Sequence, residues 1–273
     1  MRRESGRESW AGWVAASAAE LREALFPPLC WLCRSRRAAD GLGCEEHALA
    51  RSGFEPDEAR CRGCADRLPA GVGAGLCATC RRTPRGYRTL CAAGPYRDGS
   101  ALREWILAFK HGGRRELAAP LAAFLEEAWR RAGGPPAGAV LVSVPLHPLR
   151  RLERGYDQAR LLADELARRL DLEHVRALRR TRWTPPQGGP GASSRAANVA
   201  GAFAAVEREA RLVAGRALWL VDDVVTSGAT VGACAAVLRR AGASSVSVLC
   251  LARAERDRAG PDHESGLGAG DET

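Results

Sequence analysis

The sequence predicts an α/β protein with a mainly parallel sheet, preceded by a small cysteine-rich region. Three observations carry that expectation. Apolar strand-like runs alternate with amphipathic helical segments from residue 87 onward, and eight of the ten cysteines lie between Cys30 and Cys91. The 273 residues are 46% hydrophobic and 27% charged, ordinary globular values with enough length for one large or two modest domains.

The first element expected is a helix over residues 1–28. Trp10, Trp13, Val14, Ala18, Leu21 and Leu25 recur at helical spacing until Pro27 and Pro28 end the pattern. Its start is basic, but Glu8, Glu20, Arg22 and Glu23 interrupt any signal-peptide apolar core, and no apolar run approaches the length of a membrane span. The chain therefore reads as cytoplasmic, without membrane insertion.

Residues 29–86 follow as two similar halves. One is Cys30-x2-Cys33-x10-Cys44-x2-His47, and the other is Cys61-x2-Cys64-x12-Cys77-x2-Cys80. A CxxC turn brings two thiolates together, and a second pair completes the tetrahedron that Zn²⁺ favours. Two structural zinc sites are expected, each with all four positions filled by protein; crossed pairing between the halves stays open. Cys91, Cys234 and Cys250 read as buried small hydrophobes.

Residues 87–255 carry the strand and helix alternation. TLCAAGPY reads as a strand, ALREWILAFK and RELAAPLAAFLEEAWRRA as amphipathic helices, and AVLVSVP as a buried strand. The helix DQARLLADELARRL, a short strand near VRAL and the Pro/Gly/Ser-rich loop TPPQGGPGASS come next. The strand ALWLV, the helix TVGACAAVLRRAG and the strand SVSVLCLA complete the series. Residues 256–273 are polar and Gly-rich and read as a disordered tail. In such a sheet, ligands bind outside the carboxyl ends of the strands.

The sharpest chemical signal is ALWLVDDVVTSGATV. A strand from Ala217 to Val221 delivers Asp222 and Asp223 at its end, where little packing is expected. Thr226, Ser227, Gly228, Ala229 and Thr230 then form a hydroxyl-rich turn that opens a helix. Such a turn suits phosphate, because its N–H groups and hydroxyls face inward, Gly228 permits close approach and the helix dipole favours an anion. Adjacent carboxylates can accept hydrogen bonds from ribose hydroxyls.

The VDDVVTSGAT segment resembles the 5-phosphoribosyl 1-diphosphate (PRPP) signature of type I phosphoribosyltransferases. FPPLCWLC, the paired CxxC sites, AFKHGG, VSVPLHPLRRLERGYDQA and the Gln187–Phe203 stretch extend the likeness to the ComF family of competence-associated, double-zinc-ribbon, phosphoribosyltransferase-like proteins. The resemblance covers roughly residues 25 to 255. It implies that Asp222 and Asp223 hold the ribose hydroxyls and that Thr226 to Thr230 cradle the 5-phosphate. Arg154, Gly155 and Tyr156 would form the diphosphate loop, and Lys110, from AFKHGG, joins the site. Arg195 would reach the diphosphate from a lid over Gln187 to Asn198. Mg²⁺ would accompany PRPP. Four features depart from the family pattern: His47 stands for a cysteine, Asp157 for the Asn of RGxNQ, Ser227 for a Thr, and Gly188 to Gly191 for a more apolar lid segment.

Net charge of +9 points to anionic partners. Lys110 is the one lysine among the 41 basic residues, so any single Arg is weak evidence while Lys110 marks a position for an amine. Residues 60–88 hold seven arginines with only Asp66 acidic, and residues 176–195 hold five with no acid. Either stripe could contact the backbone of single-stranded DNA, with Tyr87 and Trp183 as candidate stacking residues. The expected function is thus a phosphoribosyltransferase-like protein binding PRPP and Mg²⁺, linked to competence and DNA uptake. The alternative is a non-catalytic adaptor for DNA or another competence protein. Docking through the zinc region and self-association are further partner expectations.

Overall fold

The computed structural model describes residues 29–35, 43–48, 53–55, 58–69, 71, 73, 75–182 and 199–254. The expected N-terminal helix, the lid segment with Arg195, Trp183 and the tail lie outside them. A 3-10 turn, Glu45–His47, and a short helix α1, Ala78–Arg82, follow the cysteine pairs. Strand β1 (Leu90–Pro95) leads to α2 (Ala101–His111), a 3-10 turn at Arg115–Leu117 and α3 (Ala118–Arg131). Then come β2 (Val140–Ser143), α4 (Pro148–Arg154), α5 (Gln158–Leu170), β3 (Glu173–His174) and β4 (Leu178–Arg180). After the undescribed segment stand β5 (Phe203–Ala205), α6 (Glu207–Ala210), β6 (Ala217–Val225), α7 (Ala229–Arg240) and β7 (Ser245–Arg253).

Local chemistry sets the helix ends. Ser100 caps α2 through its hydroxyl, 3.3 Å from the Arg103 N–H, and Asp157 caps α5, its Oδ1 3.1 Å from the Arg160 N–H. Pro148 opens α4, and Gly155 closes it in a left-handed conformation at φ +77° that a side chain would strain.

The sheet runs β1-β7-β6-β2-β3 with every pair parallel, and β4 and β5 form a separate antiparallel pair. One face packs Val140, Val142, Leu218, Leu220, Val246 and Val248 against α7 and the β4/β5 pair. The other packs Leu141, Val221, Leu249 and Leu251 against α2, α3 and α5, with Trp105, Phe109, Leu125 and Trp129 wholly or almost wholly buried. Each such side chain contributes roughly 1.5–3 kcal/mol by leaving water. Apolar residues on both faces explain why the strands read as continuous apolar runs.

The region between β6 and β2 is where the order reverses. From β6 the chain crosses through α7 to β7 on one side, and from β2 it crosses through α5 to β3 on the other. Such a reversal opens a crevice at the carboxyl ends of the two strands. Strand β6 is longer than the Ala217–Val221 expected from sequence. Asp222, Val224 and Val225 keep pairing with Cys250, Ala252 and Arg253 of β7, whereas β2 ends at Ser143 opposite Val221. Residues 222–225 therefore have a strand on one side and the crevice on the other.

Candidate phosphoribosyl site and two cysteine clusters

Alternation along β6 sends the two acids to opposite faces. Asp223 turns toward α2, where its Oδ1 lies 2.9 Å from the Lys110 amine in the helix's last turn. Both side chains are largely buried, so the expectation of little packing around the acids is revised. Asp222 turns the other way. Burial first, and then the neighbouring Asp223 charge, push its carboxyl up to about 8, so it holds a proton at neutral pH.

The turn after β6 is built as the sequence predicts. Gly228 stands at φ +82° as the N-cap of α7, and the Ser227 hydroxyl accepts from the Ala229 N–H at 3.3 Å. Thr226 is exposed and Ser227 through Thr230 are half-buried. Asp222 and the turn line one small hollow.

Across the crevice, Arg154 ends α4 with Nη1 3.2 Å from the Gln158 side-chain oxygen, and Gly155 is exposed. Tyr156 is core: its ring lies 5.7 Å from Phe109 and its hydroxyl donates to the Phe109 carbonyl. Only its backbone remains for a ligand. Asp157 is less disruptive than a free charge there, because its carboxylate accepts from the Leu146 N–H at 2.9 Å as well as from Arg160. Burial raises its pKa, with Asp223 adding to the effect. Beside Gly155 lies a cavity of about 570 Å³ whose lining includes Arg151, Arg160, Arg176, Arg179 and Arg180. The structure thus brings Lys110 and Asp223 together, places Asp222 beside Thr226 to Thr230, and sets Arg154 and Gly155 opposite. Arg195 lies outside the described residues.

Both cysteine clusters form from consecutive halves, not crossed ones. Cys30, Cys33, Cys44 and His47 make one group and Cys61, Cys64, Cys77 and Cys80 the other, with the ligand atoms of each within 4.8 Å of one another. Metal–sulfur bonds of about 2.3 Å imply tetrahedron edges of about 3.8 Å. The Cys33–Cys44 and Cys64–Cys77 sulfur separations are 3.6 and 3.7 Å. Both groups can hold a metal ion, and their thiolate and imidazole donors suit zinc. Hydrogen bonds from Ser35 draw the Cys33 thiol down to about 6, favouring its thiolate. These are the only such groups of three or more His, Cys, Asp or Glu among the described residues. Of the other cysteines, Cys234 and Cys250 are buried as expected, and Cys91 is partly so.

Two residues that the sequence reading did not assign to the site complete the surroundings. Arg85 and Arg253 reach from the second cluster to the turn carbonyls. Only the charge closing the apolar strand SVSVLCLAR could have marked Arg253.

The chain is 35% identical over 232 residues to the DNA utilization protein YhgH of Salmonella typhi, across 83% of this chain and 97% of that protein. It is 36% identical over 115 residues to competence protein F of Haemophilus influenzae, across 42% of this chain and 50% of that one. The chain belongs to the ComF family. Within this ComF protein, residues 157–265 match the family model described as phosphoribosyl transferase domain. Among solved structures it is similar to the glutamine phosphoribosylpyrophosphate (PRPP) amidotransferase from B. subtilis, at 21% identity and a TM-score of 0.31. That likeness covers 67% of this chain and 32% of the other. Among the described residues no helix is long and apolar enough to cross a membrane.

Proposed function

We propose that this protein binds PRPP with Mg²⁺ at the crevice between β6 and β2. The observation that carries the reading is the combination at the end of β6: a left-handed Gly228 turn opening α7, directly after an acid pair of which Asp223 is held by Lys110. The N–H groups and hydroxyls of Thr226 to Thr230 receive the 5-phosphate. Asp222 and Asp223 accept the ribose hydroxyls, and Lys110 orients Asp223 until the sugar arrives. Arg154 and the backbone of Gly155 and Tyr156 meet the diphosphate, stabilising the charge it gathers if it leaves C1. Arg195 would approach from the segment outside the described residues. When bound with PRPP, Mg²⁺ would supply further neutralisation of that charge.

The two clusters take structural zinc, and residues 29–86 act as a double zinc ribbon before a phosphoribosyltransferase-like unit at 87–255. An acceptor would enter the arginine-lined cavity beside Gly155. The same five arginines, with the relatives' names of DNA utilization and competence, favour a second reading: a strand of DNA lies there and PRPP serves as a signal.

Calorimetry with PRPP and Mg²⁺ tests the common core of both readings. Replacing Asp222 and Asp223 together by Asn should weaken PRPP at least about tenfold, since the hydrogen bond to the charged Asp223 carboxylate alone is worth ~1.5–3 kcal/mol. Wild-type affinity in that variant overturns the site. Diphosphate release across a panel of bases then separates an enzyme from an adaptor.

A further inference from the structure

We propose that the Cys61, Cys64, Cys77 and Cys80 cluster sets the shape of the phosphate turn through Arg253 and Arg85, so that metal in the cluster and PRPP in the turn stabilise each other. The proposal rests on the reading of that turn given above.

Arg253 is the last residue of β7 and is 1% exposed. On the cluster side its Nε donates to the Cys64 carbonyl at 2.7 Å, and its Nη2 lies 2.9 Å from Asp66 Oδ1. On the site side its Nη1 donates to the Val225 carbonyl at 3.2 Å and to the Thr226 carbonyl. Arg85 repeats the pattern. Its Nε is 3.1 Å from the Cys80 sulfur and its Nη1 3.1 Å from the Ser227 carbonyl. Two consecutive carbonyls of the turn, Thr226 and Ser227, are therefore held by guanidinium groups whose other ends rest on two residues of one cluster, while the Val225 carbonyl before them also accepts from the Ala254 N–H at 3.0 Å.

Peptide planarity turns this into a statement about the phosphate side. The bonds are all trans, so the N–H of each unit points opposite to its carbonyl. Fixing the Thr226 and Ser227 carbonyls toward the cluster fixes the N–H groups of Ser227 and Gly228 away from it, as a phosphate cradle requires. The backing leaves little room: a Cβ at Gly228 would lie 3.2 Å from both Arg85 Nη1 and the Tyr87 hydroxyl. Only a planar fork with several donors can join these partners at once, so lysine is no substitute. Bound metal fixes Cys64 and Cys80, and with them both forks. Coupling of this kind is reciprocal, so ligand in the turn must also retain the metal.

The test uses the full zinc-loaded chain with two readouts: PRPP affinity by calorimetry in Mg²⁺, and zinc release to a chromogenic chelator with and without PRPP. In the wild type, PRPP should slow the release of one of the two zinc ions several-fold. Arg85→Gln, at a half-buried position, should keep both ions, bind PRPP about tenfold more weakly and show no slowing. Arg253→Lys should act in the same direction; if it does not fold, Arg85→Gln decides alone. Wild-type affinity and wild-type slowing in Arg85→Gln overturn the coupling while leaving the PRPP reading intact. Loss of a zinc ion from Arg85→Gln overturns it too, making Arg85 a support of the metal rather than a link. A wild-type chain that ignores PRPP removes the reading beneath the proposal and the proposal with it, and one lacking metal at the second cluster overturns the coupling.

Discussion

The two cysteine clusters have similar donors and different neighbours. In the first, Cys33 is exposed, and among the described residues the attachment to the sheet domain includes Trp31 and Leu32 packed on the helical core and a hydrogen bond from Trp105 Nε1 to the His47 carbonyl at 3.1 Å. In the second, Cys61, Cys64 and Cys80 are buried, Ala65 belongs to the opposite core face, and two arginines reach the Thr226 and Ser227 carbonyls directly. A path from the first to the site runs along α2, five residues from Trp105 to Lys110 and then to Asp223. Ligand spacing alone would rate the clusters as equals. What distinguishes them is which backbone groups their surroundings hold.

The largest effect expected from this asymmetry is on stability. Arg253→Met leaves Asp66 and the Cys64, Val225 and Thr226 carbonyls without their buried cation, a loss of about 3–5 kcal/mol. At about 2–4 °C per kcal/mol for a chain of this size, melting should fall by roughly 10 °C. Trp105→Phe removes one hydrogen bond and part of a ring, and should cost about 1–2 kcal/mol. Scanning calorimetry on the two zinc-loaded variants decides it. Equal losses would mean that the clusters are equally built in.

Binding should divide in the same way. Cys33→Ser and Cys64→Ser should each lower the zinc content by one ion. Only Cys64→Ser should weaken PRPP by tenfold or more, and Cys33→Ser should stay within about threefold, because its effect must travel along a helix that is anchored independently by Trp105 and Phe109 in the core. Comparable losses in both would show that the first cluster also shapes the site.

How much of this was legible in the sequence follows from how local each cause is. The order of β1, α2, α3, β2, α5, a short strand near β4, β6, α7 and β7 was readable because apolar period and nearby caps set them, whereas α4, α6 and the short strands β3 and β5 carry too few residues to show a period. The two cysteine clusters were readable because CxxC is a local chelating turn, and the Asp222 to Thr230 strand, acid pair and turn because they are contiguous. Three long-range features were not. The extension of β6 to Val225 depends on β7, whose pairing partner lies almost thirty residues away. The burial of Tyr156 depends on the Phe109 carbonyl, 47 residues upstream. The Arg253 link to Cys64 spans 189 residues in a chain so rich in arginine that no single one stands out.

The last prediction concerns the acid pair, which the two regions share. Asp223 faces α2 and is paired with Lys110 on the side that the first cluster braces. Asp222 faces the β4/β5 side, with Cys234, Cys250 and Arg180 near it and the Asp223 and Asp157 charges opposing its ionisation. Its carboxyl holds a proton to about pH 8 when folded, whereas the ordinary value is 3.8. Between those values the folded chain binds more protons than the unfolded one, so this group makes stability fall as pH rises and has no further effect above about 8. His174, whose pKa burial lowers, works in the opposite sense below its ordinary value of 6.5, so a window from pH 7 to 9 isolates the carboxyl from it. Without ligand, Asp222→Asn should melt above wild type by at least about 3 °C at pH 8.5, with a smaller margin at pH 7. Asp223→Asn should melt lower than wild type throughout, because it leaves the Lys110 ammonium largely buried without its partner. Parallel pH slopes for Asp222→Asn and wild type would show that the Asp222 carboxyl ionises freely, and that the division of the acid pair between the two regions has no electrostatic consequence.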